Sequence, residues 1–411
     1  MPAVVAADVV STLGTEMAAV ALPWFVLTTT GSPARMAGVM AAEFAGIAVF
    51  GVPAGHVAHR AGSRRALLAS DALRAVLIML IPVLHWAGAL HYPVLIAVGL
   101  AVGALFPSYT AAQRVVVADA VGADELRLTR VSGLLGAANE GASFAGPALG
   151  GVLVAAIGAA SVLVVDAASF VVSLGLLLSA VPATAAPSAD ERERPGAGLR
   201  WLRRDPQLRR QVGAVMCGMV SWTALMAVLP VAAHRHYHGG AALVGALLAA
   251  YGAGSVVGGL VSARTQRTGS GAARWAMVTL AAACWVLVAV PPVWAVAAAV
   301  ATVGVCNGLF FPRLFAVMTL RPPPSLRGPV MTAAQATMSS TAPIGFVAAG
   351  VILDHWPIRT ALLLVAVAAS AAALVSVTGE PMTAGVDVER LAADEPGERH
   401  PRLVGELHGE R

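Results

Sequence analysis

The sequence predicts an all-α polytopic membrane protein with twelve transmembrane helices, arranged as two six-helix pseudo-repeats. Three observations support this prediction: the composition, the spacing of apolar runs and a set of motifs that recur half a chain apart. Of the 411 residues, 58% are hydrophobic and only 12% are charged, whereas a soluble domain carries roughly 25% charged residues to cover its surface. The composition therefore excludes a cytosolic enzyme, a disordered regulator and a secreted disulfide scaffold.

Apolar runs long enough to cross a bilayer recur along the whole chain. A spanning helix needs about 20 apolar residues, and each of these runs is bounded by Arg, Gly, Pro or Asp. The first run has no basic leader, so we expect a spanning helix there rather than a cleavable signal. Twelve spans are predicted, at residues 3–29, 34–57, 66–87, 92–113, 130–156, 160–181, 211–233, 241–263, 272–290, 293–318, 328–352 and 358–378.

Three motif pairs indicate that the two halves of the chain are related. The loop after the second span reads Gly55-His-Val-Ala-His-Arg60, and the loop after the eighth reads Gly259-Leu-Val-Ser-Ala-Arg264, 204 residues later. Leu126-Arg127 precedes the fifth span and Leu326-Arg327 precedes the eleventh. Inside these spans, Gly146-Pro147-Ala-Leu-Gly150 corresponds to Ala342-Pro343-Ile-Gly345. This order is typical of transporters built from parallel repeats. The predicted parts are an N-terminal half (1–181), a central linker (182–210), a C-terminal half (211–378) and a polar tail (379–411).

The distribution of positive charge predicts the orientation in the membrane. All 27 basic residues are Arg; the loops on one side, with the linker and the tail, carry 22 of them, and the other side carries only Arg35, Arg235 and Arg359. The positive-inside rule therefore places both termini and the linker in the cytoplasm. We expect a multi-pass protein of the inner (plasma) membrane, in contact with the lipid bilayer. Because the Arg clusters follow membrane topology, we expect no nucleic-acid partner despite the net charge of +5.

Several motifs resemble the major facilitator superfamily, the twelve-helix secondary transporters. The segment Gly55-His-Val-Ala-His59-Arg60-Ala-Gly62-Ser-Arg64-Arg65 resembles the family signature between helices 2 and 3, Gly-x-x-x-Asp-Arg-x-Gly-Arg-Arg/Lys. Further similar stretches cover nearly the whole chain. Within the superfamily they are most similar to the branch of bacterial macrolide and enterobactin exporters. They are Ala21-Leu-Pro-Trp, Asp71-x-x-Arg74, Gly146-Pro-Ala-Leu-Gly-Gly151, Asp166-Ala-Ala-Ser-Phe170 and Gly198-Leu-Arg-Trp-Leu-Arg-Arg-Asp205.

The resemblance implies a secondary transporter that exports a small organic compound, such as a drug, an antibiotic or a siderophore-like molecule, in exchange for protons. The same scaffold working as an importer or uniporter is the alternative. A polytopic membrane enzyme is disfavoured because no nucleophile motif or His/Asp cluster stands out near one membrane face. A sensor is disfavoured because the tail is too short for a soluble domain. The expected partners are a small-molecule substrate and protons, and we expect a monomer.

Three carboxylic acids inside predicted spans are candidates for proton coupling or substrate binding. Glu16 and Glu43 lie about halfway along helices 1 and 2, and Glu140 lies roughly 15 Å inside helix 5 at a rise of about 1.5 Å per residue. Ionised side chains are costly inside a bilayer, so such acids are functional candidates by default. An acid that ionises only when water, an Arg or a cationic substrate reaches it has the behaviour of a proton carrier. The alternative is a protonated Glu hydrogen-bonded to a neighbouring helix; the resemblance favours Glu16 because it places helix 1 on the cavity wall.

A second group of charged residues is predicted to form a gating or structural network. Its members are His59, Arg60, Arg64, Asp71, Arg74 and Arg114. Asp71 and Arg74 stand three residues apart, which brings them onto one helical face and predicts a structural salt bridge. Arg114 is interpreted either as part of this network or as a solvated loop charge. Asp166, in helix 6, is predicted to be structural.

His59 stands where the family signature has Asp. The resemblance implies that this carboxylate pairs with basic groups and holds the cytoplasmic side closed, and a neutral His cannot supply the anion. Three hypotheses follow: the contact is weaker here, another carboxylate such as Asp71 replaces it, or the contact depends on pH because an unperturbed His has a pKa near 6.5.

The remaining polar residues give no sign of a cofactor or a metal, and we expect neither. Asn307 and Gln335 are candidates to face the cavity, with interhelical hydrogen bonding as the alternative. The run His234-Arg-His236-Tyr-His238 has no acidic or Cys partner nearby, so we interpret it as a solvated loop. The chain contains no Lys, which excludes an ATP-binding loop that depends on Lys.

Overall fold

The computed structural model describes residues 2–121, 125–180, 197–264, 271–323 and 326–378. Several helical stretches are described by their backbone without their side chains, among them 51–61, 114, 118–121 and 125–134. Throughout the described ranges the chain is helical, with short turns between the helices.

Six long helices form the N-terminal half. They are α1 (Pro2–Thr30), α2 (Pro33–Ala61), α3 (Ser63–Trp86), α4 (Tyr92–Val121), α5 (Glu125–Ile157) and α6 (Ala159–Ala180). The turns that join them are tight: Gly31, Gly62 and Gly158 each have positive φ, a backbone conformation that glycine adopts without steric cost.

The C-terminal half contains seven helices that follow a short amphipathic one. The short helix is α7 (Ala197–Arg204), followed by α8 (Pro206–Val231), a π-helical turn (Ala232–His236), α9 (Ala241–Arg264), α10 (Gly271–Val288), α11 (Val293–Leu320), α12 (Arg327–Ser339), α13 (Ala342–His355) and α14 (Ile358–Val377).

The helices confirm the predicted all-α fold with twelve apolar spans. Eleven segments of the described chain are long and apolar enough to cross a bilayer, and Arg274–Val288 is a shorter apolar helix. One of the eleven, Val330–His355, combines α12 and α13. The twelve segments correspond one to one with the twelve predicted spans.

Helical structure begins inside the predicted central linker, before the predicted seventh span. Residues 197–204 form α7, and α8 begins at Pro206, before the predicted start at 211. The cause is a strong helix start: Asp205 Oδ1 accepts hydrogen bonds from the backbone N–H groups of Gln207 (2.9 Å) and Leu208 (3.1 Å), and proline suits the first helical position. Hydropathy does not detect this start because Arg209 and Arg210 follow it.

Pro343 predicts a bend in the eleventh span, and the structure shows a complete interruption there. The helix ends at Ser339 and restarts at Ala342. Pro343 has no N–H group, and its ring clashes with the preceding helical turn, so the helix breaks before it. The Thr341 hydroxyl donates to the backbone carbonyl of Met216 on α8 at 3.1 Å, which fixes the break against the neighbouring helix.

Two helix pairs, α2–α13 and α5–α9, form the main contacts between the halves. At α5–α9 the helices approach through glycine: a Cβ added at Gly151 would lie 2.8 Å from the carbonyl oxygen of Ala241, and one at Gly245 would overlap the carbonyl oxygen of Pro147. At α2–α13 the Phe44 and Phe346 rings lie 5.5 Å apart. Small residues therefore bring the backbones of α5 and α9 into contact. Helices in lipid need such close packing because no hydrophobic force drives them together.

Glycine also sets the spacing of helices within each half. On α9 and α11, Gly254 and Gly304 each face the opposite backbone so closely that a Cβ would overlap it, and Gly258 and Gly308 repeat the arrangement one turn later. These four glycines therefore allow the backbones of α9 and α11 to pack in contact. In the N-terminal half, Gly103 of α4 faces the backbone of α2 in the same way.

We expect Gly103→Ala to destabilise the N-terminal half. The new Cβ would overlap the carbonyl oxygen of Glu43, and backbone cannot move aside cheaply, so we expect an overpacking loss of about 1–3 kcal/mol. Gly175→Ala on α6 is the matched control because a Cβ there meets no atom within 4 Å. That control gains helix propensity. Thermal unfolding of both purified variants in detergent measures the difference; equal melting temperatures would contradict the prediction.

Candidate functional site

A mostly apolar cavity of about 210 Å³ lies in the C-terminal half and reaches the N-terminal half at Phe44 of α2. Its polar edge is formed by Asn307 of α11, whose amide donates to the Tyr251 hydroxyl of α9 at 3.0 Å. The Tyr251 ring packs on Trp222 of α8, with ring centroids 4.2 Å apart. Aromatic walls with a few fixed polar groups are the usual chemistry of a small-molecule site. Further lining residues include Met219, Leu225, Met277, Leu280, Phe310 and Phe311.

Glu16 and Glu140 lie in the N-terminal half, near the Tyr251 edge of this cavity. Glu16 of α1 is half-buried, and its Oε1 accepts a hydrogen bond from the Ser143 hydroxyl of α5 at 2.8 Å. A Cβ added at Gly146 would overlap the Glu16 side chain, so glycine allows α5 to approach it. Glu140 is exposed. Both carboxyl groups act electrostatically on the Tyr251 hydroxyl. Gly252, the neighbour of Tyr251, packs against the backbone of Ser143 and Phe144, although neither carboxyl group lines the cavity itself.

Glu43 lies apart from this pair. It is half-buried on α2 beside α4, where its backbone faces Gly103. Its carboxyl group acts electrostatically on Arg74 of α3 and on Asp166 of α6. Glu43 therefore belongs with the charges inside the N-terminal half, while its neighbour Phe44 lines the cavity.

Asp71 and Arg74 are buried on one face of α3, but the predicted salt bridge between them does not form among the described side chains. Asp71 Oδ2 instead accepts a hydrogen bond from the Ser173 hydroxyl of α6 at 2.7 Å. The Arg74 guanidinium lies 5.3–5.6 Å from the ring centroids of Phe106, Tyr109 and Phe170. Cation–π attraction to three rings competes with the short-range ion pair. The charge network is therefore buried inside the half rather than at its mouth.

The other predicted network residues are not gathered at one described site. The side chains of His59, Arg60 and Arg114 lie outside the described residues, so the hypotheses on His59 stay predictions. Arg64 is half-buried in the first turn of α3. Gln335 is exposed on α12 and does not line the cavity described above, unlike Asn307.

Sequence reasoning missed two polar contacts. Asp8 of α1 is buried, and its Oδ1 accepts a hydrogen bond from the Gln113 amide of α4; an acid inside the first apolar run was the available signal. At the other site, Arg321 after α11 pairs with Asp205 at the start of α8. The signals for Asp205 were the helix-start pattern Asp-Pro and its place at the end of the family-like stretch that begins at Gly198.

The histidine run and the cysteines show no metal-binding arrangement in the described part of the chain. No group of three or more His, Cys, Asp or Glu side chains there has the geometry of a metal site. His234 packs edge-on against Trp24 of α1, with centroids 5.5 Å apart, so it contributes to contact between the halves. The three cysteines are free thiols.

Comparison with known proteins gives relatives along nearly the full length. The family model described as Major Facilitator Superfamily matches residues 4–340 and, in a second match, 212–396. A protein named multidrug efflux pump Tap, from Mycobacterium tuberculosis, is 25% identical over 390 residues, which cover 90% of this chain and 91% of the relative. The protein of the same name from Mycolicibacterium fortuitum is 27% identical over 356 residues, with coverage of 83% and 86%.

Solved structures share the fold at low sequence identity. A D-xylose-proton symporter aligns with a TM-score of 0.70 at 12% identity, covering 93% of this chain and 98% of its own. A bacterial homologue of the human lysosomal transporter Spinster, in an inward-facing and unoccupied conformation, aligns with a TM-score of 0.66 at 13% identity, with coverage of 92% and 96%. The family match and the twelve-helix fold agree: this chain belongs to the major facilitator superfamily of membrane transporters.

Proposed function

We propose that this protein exports a small organic compound from the cell across the inner (plasma) membrane in exchange for protons. The observation that carries the proposal is an aromatic cavity whose Tyr251 edge packs, through Gly252, against Ser143, the hydrogen-bond partner of Glu16 in the other half. A compound in the cavity then lies near a group that binds and releases protons. The relatives named as multidrug efflux pumps support export as the direction.

The cavity favours a compound with an apolar, ring-containing body. Trp222 and Tyr251 offer faces for stacking, and Asn307 is an amide whose carbonyl oxygen is able to accept a hydrogen bond. The volume of about 210 Å³ is below the roughly 300–1,000 Å³ of sites for drug-sized ligands. We therefore infer that the halves separate further on binding, as alternating access requires.

Everted membrane vesicles test the proposal directly. Respiration acidifies the vesicle interior, and a pH-sensitive dye reports the gradient. In vesicles that contain this chain, added ethidium or a macrolide antibiotic is expected to collapse part of the gradient, because the compound enters as protons leave. Vesicles from the same host without the chain are the control. Uptake of either compound only in right-side-out vesicles would instead support an importer. Uptake that does not depend on the proton gradient would support a uniporter.

The proposed orientation places the termini and the linker in the cytoplasm and the turn near Gly239 outside. After replacement of Cys217, Cys284 and Cys306, we expect a cysteine at Ser188 to resist membrane-impermeant maleimide added to whole cells. A cysteine at Gly239 is expected to react at once. Permeabilised cells, in which both positions react, are the control. The reverse labelling pattern would overturn the orientation and the direction of export with it.

A further inference from the structure

Five helices of the N-terminal half enclose a cluster of charged residues that the cavity does not reach. Asp8 of α1, Asp71 and Arg74 of α3 and Asp166 of α6 have 3%, 0%, 6% and 2% of their surfaces exposed. We call these four residues the Arg74 cluster. Rings from α4 and α6 surround the guanidinium, and α5 closes the side next to Asp8.

The charges in this cluster do not balance. Arg74 feels the electrostatic effects of Asp71, Tyr109, Glu43 and Asp166, and Asp71 in turn feels Asp8. Arg74 is the one cation among these groups. Ionisation of the three aspartates together would therefore leave two uncompensated negative charges in a buried site, and buried unpaired charge is strongly unfavourable.

Each aspartate has an oxygen that lacks a donor among the described residues. These atoms are Asp8 Oδ2, Asp71 Oδ1 and Asp166 Oδ1, and Arg74 Nε likewise lacks an acceptor. A buried carboxylate oxygen without a donor costs on the order of 1–3 kcal/mol or more. Protonation lowers that cost because the carboxyl group loses its charge, and a buried charge is far more costly than a buried neutral group. The cluster is therefore built to hold protons.

A line of polar side chains runs from Asp8 of the cluster towards Glu16. Asp8, Thr12 and Glu16 follow one another at intervals of four residues, so they share one face of α1. On α5, Asn139 and Ser143 face them: the Thr12 hydroxyl donates to Asn139 Oδ1 at 3.2 Å, and Ser143 donates to Glu16. The amide of Asn139 also lies beside the Asp8 carboxyl. We call these five residues the α1–α5 polar seam.

We propose that the Arg74 cluster is a proton-binding site that exchanges protons with Glu16 along the α1–α5 polar seam. A proton from Glu16 adds to a carboxylate oxygen of the cluster, which becomes neutral, and Glu16 is left ionised. The reverse transfer returns the proton and restores the carboxylate beside Arg74. This inference rests on the proposed proton coupling, and it adds a store of protons away from the substrate cavity.

Infrared difference spectroscopy tests the site without substrate or gradient. The pH is raised from about 5 to about 9, a range in which an ordinary Asp side chain, with a pKa of about 3.9, is already ionised. Over this range the full-length protein is expected to lose a protonated-carboxyl band. Asp8→Asn, Asp71→Asn and Asp166→Asn are each expected to reduce that loss. Asp354→Asn, at an exposed aspartate outside the cluster, is the matched control and is expected to leave it unchanged. A band that none of the three cluster variants alters would overturn the proposal.

Isotope labelling keeps the test decisive if a variant fails to fold. Wild-type protein with ¹³C in its aspartate carboxyl groups is expected to show a shift of the band. If only ¹³C-glutamate shifts the band, the protons reside on residues such as Glu16 and the Arg74 cluster is excluded. Neither measurement involves transport. If the band does not belong to the aspartates, the proposed export is unaffected, and if export fails, the proposed proton site is unaffected.

The polar seam has a separate test in hydrogen–deuterium exchange of the same band. Thr12→Val keeps the side-chain shape but removes the hydroxyl between Asp8 and Glu16, so we expect slower deuteration of the cluster in D₂O. Thr15→Val is the matched control, since Thr15 is exposed on the same helix and outside the seam. Equal exchange rates in both variants would show that protons reach the cluster by another route, which contradicts the proposal.

Discussion

Replacement of Glu16 by glutamine is expected to abolish accumulation of substrate against its gradient. The glutamine side chain retains the shape of the glutamate and an oxygen that accepts from Ser143, so the contact between α1 and α5 is preserved. It cannot bind and release a proton at the cavity. An antiporter that lacks this exchange gains no energy from the proton gradient, so the expected effect is complete loss of uphill transport, with the folding stability changed by less than about 1 kcal/mol.

Two assays on the same variant separate coupling from binding. Accumulation in everted vesicles with a proton gradient is expected to fall to the level of vesicles without the chain. Exchange of labelled for unlabelled substrate without a gradient is expected to survive, because exchange does not require deprotonation. Glu140→Gln provides the comparison, since Glu140 lies near the same edge of the cavity but is exposed. Normal uphill transport by the Glu16→Gln protein would make Glu16 structural and Glu140 the leading candidate.

The fold was predictable from sequence because bilayer thickness fixes the length of an apolar helix. That constraint locates twelve spans without knowledge of their contacts. It does not locate the break between α12 and α13, where Pro343 ends one helix and a hydrogen bond from Thr341 to α8 stabilises the turn. Nor does it detect α7, whose alternating Arg and apolar residues have too little mean hydropathy to stand out from a polar linker.

The candidate site was predictable only in part. A carboxyl or amide group within an apolar run is visible in sequence, and this signal gave Glu16 and Asn307; the same signal was present at Asp8 and was missed. Neighbours from distant helices were not visible. Arg74 and Asp71 have the spacing of an ion pair, yet the rings that surround Arg74 come from α4 and α6. Pair spacing along one helix cannot show which third side chain competes for the charge.

A polar contact between the halves leads to the second large prediction. Arg235, in the π-helical turn after α8, donates from Nη2 to the carbonyl of Gly31 at 2.8 Å. Asp354, at the end of α13, accepts from the Ser32 hydroxyl at 2.8 Å and from the backbone N–H of Ala34 at 3.3 Å. We call these five residues the inter-half lock. On the proposed orientation it lies at the exterior mouth.

Helix dipoles strengthen both sides of this lock. Arg235 lies between the C-terminal ends of α1 and α13, where its Nη1 also donates to the Leu353 carbonyl at 3.4 Å. Those helix ends carry partial negative charge, which favours a cation. Asp354 lies at the N-terminal end of α2, where partial positive charge favours an anion. Because these side chains are exposed to solvent, we assign the lock about 1–2 kcal/mol in all.

The double variant Arg235→Ala with Asp354→Ala is therefore expected to shift the protein towards an outward-open state. Loss of about 1–2 kcal/mol changes a two-state ratio by roughly 5–30-fold. The glycine contacts of α5–α9 remain in this variant, so the mouth opens mainly at α2–α13. Spin labels at Ala87→Cys and Ala289→Cys, in exposed turns of opposite halves, measure the distance across this end in a background without the native cysteines. Arg359→Ala, at an exposed Arg at the start of α14, is the matched control and is expected to keep the wild-type distances. If the double variant also keeps them, the lock does not hold the mouth closed, and the packing of α2 against α13 and of α5 against α9 carries that role.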